Sequence, residues 1–144
     1  MDVGFIQENI PLYIEAAGLT ARIALIGIIL SILIGFICCI VRMFHIPVLK
    51  QIVAIYIEVS RNTPLLVQLF FLYFGLPRVG IVLSSEACAI IGLAFLGGSY
   101  MAEAFRSGME AVPKIQMESA MSLGMKRMQI FTRILLPQAV ATSI

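Results

Sequence analysis

Apolar residues along this chain fall into three long blocks and a short terminal one, divided by clusters of charge. Residues 23–41 carry no charge at all. As a helix they measure about 28 Å, which matches a bilayer hydrocarbon core of about 30 Å. Within them Gly27, Ser31 and Gly35 recur at every fourth position. That spacing lays small residues in one stripe, a surface that lets a second helix approach closely. The second block, residues 51–76, is interrupted by Glu58 and Arg61, followed by Asn62, Thr63 and Pro64. Arg61 lies about 16 Å along a helix from Lys50, close to a membrane midplane. Pro64 lacks a backbone donor and disfavours helix at Thr63, so a break is predicted there. Inside a membrane such a break needs protein or a water-filled cavity to satisfy the freed backbone groups. Each central charge costs about 2.5–3.5 kcal/mol, and pairing of Glu58 with Arg61 at i, i+3 is expected to offset part of it.

The third block, residues 85–105, is rich in small residues, among them Gly92, Gly97, Gly98, Ser99 and Ala102, and suits burial among other helices. Residues 106–133 are polar and basic, and residues 134–144 turn apolar again. Those last residues reach only about 16 Å as a helix, too short to cross. Either they lie in the interface or the chain is cut short at the start of a fourth span. The first twenty residues hold Asp2 and Glu8 with no basic residue, so they do not read as a cleaved leader. They are expected to form an extracytoplasmic interfacial segment gripped by Phe5, Ile6, Leu12, Tyr13 and Ile14.

Composition strengthens the membrane reading. Of 144 residues 60% are hydrophobic and 12% charged, with a mean hydropathy of +1.02. Soluble domains run near 45–50% apolar and about 25% charged, and a chain this short has too little interior to hide the surplus. The net charge of +2 gives no reason to expect nucleic acid as a partner. Cys38, Cys39 and Cys88 lack the spacing of a zinc site or a disulfide framework, and no metal or catalytic residue is assigned. Basic residues set the orientation. Arg42 and Lys50 follow the first block, and Arg106, Lys114, Lys126, Arg127 and Arg133 follow the third, whereas only Arg22 and Arg78 lie on the other side. The loop after span one and the segment 106–133 are therefore expected in the cytoplasm, with the N-terminus outside. His45 falls in the short basic loop and is expected to be solvated.

The polar segment contains Glu118-Ser119-Ala120, three residues, Gly124, nine residues, then Ile134-Leu135-Leu136-Pro137. This resembles the EAA loop of bacterial ABC importer permeases, E-A-A-x3-G-x9-I-x-L-P, with Ser119 the one departure. Arg61 to Leu66 with Gln68, the run from Phe70 to Pro77, and Tyr100-Met101-Ala102-Glu103 resemble the branch of that family that serves polar amino acids. The resemblance covers the chain from about residue 10. It implies an all-α, polytopic membrane helix bundle: spans at 21–41, 51–76 and 85–105, a cytoplasmic coupling loop at 106–133, and the start of a fourth span at 134–144.

It further implies a bacterial cell-membrane permease subunit of a binding-protein-dependent importer for polar amino acids. The chain itself would be no enzyme. It contains no Gly-Lys pair and hence no P-loop, so it is not expected to be the ATPase. No cofactor of its own is expected, and ATP-Mg would be used by a separate ATP-binding subunit. The other implied partners are a second permease subunit, identical or different, an extracytoplasmic amino-acid-binding protein, and the lipid bilayer. Met117, Glu118, Ser119, Ala120 and Gly124 would form the coupling helix and its turn, with Pro113 opening the helix and Ala120 small enough for the ATPase to come close. Glu58, Arg61, Asn62 and Thr63 are the candidate substrate pathway, since a carboxylate and a guanidinium near a helix break complement an amino acid. The same residues equally suit a lock between neighbouring helices, and Glu103 with Arg106 reads as an interfacial anchor. A different class, a truncated permease that scaffolds the ATPase without conducting, is left open because family members continue through further spans beyond the short final block. An intramembrane enzyme would need a nucleophile beside a base, and no such constellation occurs.

Overall fold

The computed structural model describes residues 3–44 and 46–142, and the side chains of residues 9–44 and 46–139. The expectations for His45, for the side chains of Phe5 and Ile6, and for the last two residues lie outside the described residues. Every regular element among the described residues is helical. In chain order they are α1 (Val3–Met43), α2 (Pro47–Asn62), α3 (Leu65–Phe70), α4 (Ser85–Glu110), α5 (Lys114–Ser122), α6 (Arg127–Ile130) and α7 (Leu136–Thr142). Wider π-turns occupy Phe71–Gly75 and Phe131–Leu135, and a tight 3-10 turn follows the first at Leu76–Val79.

Two helices, Asn9–Met43 within α1 and Ser85–Glu110, are long and apolar enough to cross a membrane. α1 runs unbroken from the segment expected at the interface into the first apolar block, and α4 extends past residue 105 to Glu110. α4 is the central element and packs against α1, α2, α3 and α7. Small residues make that possible: Gly92, Ala94, Gly98, Ser99 and Ala102 are all buried along it.

The stripe on α1 is where the two long helices meet. Ser31 Oγ donates to its own helix at Gly27 O (2.7 Å) and across to Leu93 O (3.3 Å). A side chain at Gly35 would run into Met101 and the backbone of Ala102, and one at Gly97 into Ser31. Close backbone approach of this kind is the main way helices gain packing energy where lipid is as apolar as the side chains. The outer faces stay bare. Leu25, Ile28, Ile29, Leu33 and Ile37 of α1 and Val48, Ile52, Ile55 and Val59 of α2 are exposed, the arrangement of helices solvated by hydrocarbon rather than water.

Both π-turns share one cause. In each, the residue just before a proline donates its N–H five residues back, Leu76 to Phe71 O and Leu136 to Phe131 O. Pro77 and Pro137 cannot donate and their rings crowd the carbonyl four residues earlier, so the helix widens by one residue to pass them. The second turn buries Phe131 and Leu135 with Val112, Ala120 and Ile130 in a small core capped by Phe36, Ile40 and Met43 of α1. This core fixes α5 and α6 against the end of the first long helix.

Candidate functional site

α2 ends where the sequence places the break. Thr63 leaves the helix at φ −108°, ψ 122°, and Pro64 follows in an extended conformation. Side chains bond to the carbonyls around the break. Asn62 Nδ2 donates to Glu58 O (2.8 Å) and Thr63 Oγ1 to Val59 O (2.8 Å). Gln68 Nε2, reaching back from α3, donates to both Ser60 O (3.1 Å) and Thr63 O (3.0 Å). Asn62 and Thr63, two of the candidate pathway residues, thus spend their side-chain donors on the last turn of their own helix. Gln68, part of the motif but not of the candidate site, serves the break itself, since Ser60 O would otherwise look to Pro64, which has no N–H.

Two donors from α2 converge on one acceptor of α4. Tyr56 Oη and Ser60 Oγ both donate to Phe95 O, at 2.6 and 3.1 Å. They hold the C-terminal half of α2 on α4, and Glu58, Arg61 and Asn62 of the same half line a cavity of about 460 Å³. That volume lies within the roughly 300–1,000 Å³ common to small-molecule sites. Arg42, Glu58, Arg61, Asn62, Tyr100 and Glu103 supply its polar lining.

The charges in this cavity are not paired as the spacing suggests. Glu58 and Arg61 form no ion pair with each other. Instead the Arg61 guanidinium lies over the Tyr100 ring of α4, 5.2 Å from its centre, where the ring quadrupole attracts a cation. Glu103 takes the ion pairs: Arg42 Nη1 at 2.5 Å from Oε1, and Arg106 Nη2 at 2.9 Å from Oε2. Arg106 also reaches Glu110 at 2.5 Å. The expected Glu103–Arg106 pair is therefore present, but as half of a bridge that ties α1 to α4. Arg42 was visible in sequence only as a topology signal, since its partner is 61 residues away. Glu58 and Arg61 remain as one carboxylate and one guanidinium outside any ion pair among the described residues, both exposed on the cavity side of α2.

The second candidate region, α5, is flanked by Pro113 at its N-cap and Leu123 at its C-cap. Gly124 sits at φ 77°, and the bonds Gly124 N–H to Met121 O (2.9 Å) and Met125 N–H to Ala120 O (3.1 Å) close a Schellman-type turn. Glu118 and Ser119 are exposed and Met117 is half-buried. Ala120 departs from expectation. It is 3% exposed and faces this chain's own core, so its small size seats α5 on Val112, Ile130 and Phe131. The open face of α5 instead carries Ile115, Glu118, Ser119, Met121 and the terminal Leu123.

Residues 12–144 match the family model for the binding-protein-dependent transport system inner membrane component. The chain belongs to this family. Among relatives of this transport-system component, it is 36% identical to the probable amino-acid ABC transporter permease protein PatM of Vibrio harveyi, with 99% of this chain and 66% of that protein covered. It is 37% identical to the probable glutamine ABC transporter permease protein GlnP of Bacillus subtilis, with 93% and 62% covered. A solved structure, the crystal structure of an amino acid ABC transporter with histidines, superimposes with a TM-score of 0.88 at 32% identity, covering 97% of this chain and 65% of that one. The chain thus spans just under two thirds of the length of these relatives. As a member of this inner-membrane family it is a membrane-integral protein, helical in every regular element among the described residues.

Proposed function

We propose that this chain is the membrane-spanning permease component of a binding-protein-dependent ABC importer for polar amino acids. The observation that carries the reading is the cavity at the α2 break, where Glu58 and Arg61 are held apart from each other's charge. A zwitterionic amino acid brings an ammonium and a carboxylate, and these two side chains meet both. Leaving two such charges unpaired near a membrane midplane is costly, which is why intramembrane charges mark pathways more often than scaffolding. The names of the relatives, amino-acid and glutamine permeases, support the same substrate class.

In this reading three spans, 21–41, 51–76 and 85–105, contribute to the pathway, with the N-terminus outside and residues 106–133 in the cytoplasm. A binding protein delivers the amino acid, and a second permease subunit faces this one across the pathway. A separate ATP-binding subunit, using ATP-Mg, takes the open face of α5. Met117 and Ala120 then act from behind, fixing α5 so that movement at Glu118 and Ser119 passes through the shared core to the end of α1. Gly124 holds the turn that ends the helix.

The test is Arg61→Ala in the assembled complex. Uptake of labelled amino acid into proteoliposomes is expected to fall at least tenfold while the subunits still co-purify. Uptake at the unsubstituted rate would remove Arg61 from the pathway and with it the substrate assignment.

A further inference from the structure

A second cavity, of about 370 Å³, lies where the end of α1, the start of α2, the end of α4 and the start of α5 converge. Its rim carries four cations, Arg42, Lys50, Arg106 and Lys114, against Glu110 alone among the lining carboxylates. Glu103, behind the rim, pairs with both arginines. Lys50 and Lys114 remain as positive charges with no ion pair among the described residues. Each sits in the first turn of a helix whose N-cap, Ile46 or Pro113, offers no side-chain acceptor, so the positive end of each helix dipole adds to the field. Beneath the rim the walls are apolar, from Cys39, Met109, Met117 and Leu135.

A charged rim over an apolar floor suits an amphipathic anion. α1 and α4 are the two helices long enough and apolar enough to cross a membrane, and the cavity lies at their neighbouring, basic ends. Basic residues cluster where membrane helices leave the hydrocarbon, which is the level of the lipid phosphates. We propose that this cavity binds the phosphate of an anionic phospholipid, with Lys50 and Lys114 as its ligands and the glycerol and first methylenes on the apolar floor. Basic pockets between membrane helices are suited to such headgroups. Because Lys50 belongs to α2 and Lys114 to α5, the bound lipid bridges a span to the segment that would contact the motor subunit. This goes beyond the transport reading and stands on binding alone.

The test is lipid retention by the purified full-length protein, measured by native mass spectrometry from micelles doped with phosphatidylglycerol or phosphatidylcholine. The unsubstituted protein is expected to retain phosphatidylglycerol preferentially. In the Lys50→Gln, Lys114→Gln double variant the preference should drop about thirty-fold, the effect of two lysines at usual juxtamembrane strength. The Lys50→Arg, Lys114→Arg variant should keep it, and so should Arg78→Gln, away from the cavity. Equal retention of both lipids, or a preference unchanged in the glutamine variant, would overturn the proposal. Displacement of the lipid by millimolar inorganic phosphate would do the same by assigning the site to the free ion. Release of the lipid on adding the ATP-binding subunit would hand the cavity to that protein. Loss of amino-acid uptake plays no part in the readout, so failure of the transport reading leaves this result interpretable.

Discussion

Replacing Gly35 by alanine tests the account of how α1 and α4 are held together. A Cβ built at Gly35 lies 2.9 Å from both Ala102 N and Met101 C, and also strikes the Met101 side chain. Ordinary contact between heavy atoms begins at about 3.5–4.0 Å, so the backbone contacts alone force the two helices to part locally by roughly 0.6–1 Å, and Met101 Cβ, nearer still and as fixed as backbone, requires more. The obstructing atoms are backbone, which cannot rotate away as a side chain does. Overpacking of this kind costs about 1–3 kcal/mol, against a gain of about 0.5–1 kcal/mol from replacing a mid-helix glycine by alanine. Gly18→Ala isolates the gain, because nothing lies within 4 Å of that position on the same helix. Gly97→Ala should fall between, since its Cβ meets the Ser31 hydroxyl, which can turn but then gives up its bonds to Gly27 O and Leu93 O. Reversible unfolding in detergent micelles titrated with dodecyl sulfate gives the three stabilities on one scale. Gly35→Ala is expected about 1–3 kcal/mol below Gly18→Ala. Equal stabilities for the two would refute close backbone approach as the basis of this interface.

Two further outcomes follow from the same geometry. Gln68→Leu removes the one donor that serves both Ser60 O and Thr63 O, and the same titration should show a loss of about 1–3 kcal/mol. An unchanged midpoint would mean the break needs no such support. Gly124→Val places a β-branched residue at φ 77° with open space around it, so the cost is backbone strain alone, about 1–2 kcal/mol. Amide exchange in Lys114–Ser122 should quicken while exchange in α4 stays as it was, and slow exchange throughout would exclude the turn as the stop of α5.

Much of this molecule was legible residue by residue. A run of uncharged apolar residues predicts a helix in lipid, and a proline after Thr63 predicts a break, because both depend on atoms a few bonds apart. The stop at Gly124 is of the same kind, since only a glycine takes a positive φ there without strain. The small-residue stripe on α1 was also readable, although not what it would face. Which partner each charge and each small residue takes was a different matter. Spacing paired Glu58 with Arg61, yet Tyr100 on α4 draws the guanidinium away. It offered Ala120 to a partner protein, yet the π-turn before Pro137 brings Phe131 beneath α5 and turns that alanine inward. Glu103 had one candidate partner three residues on and gained a second from the end of α1. Backbone breaks are dictated by covalent geometry, which leaves one answer. Side-chain partnerships are a choice among contacts of similar strength, and only the approach of α1, α2 and α4 to one another decides which groups come within reach.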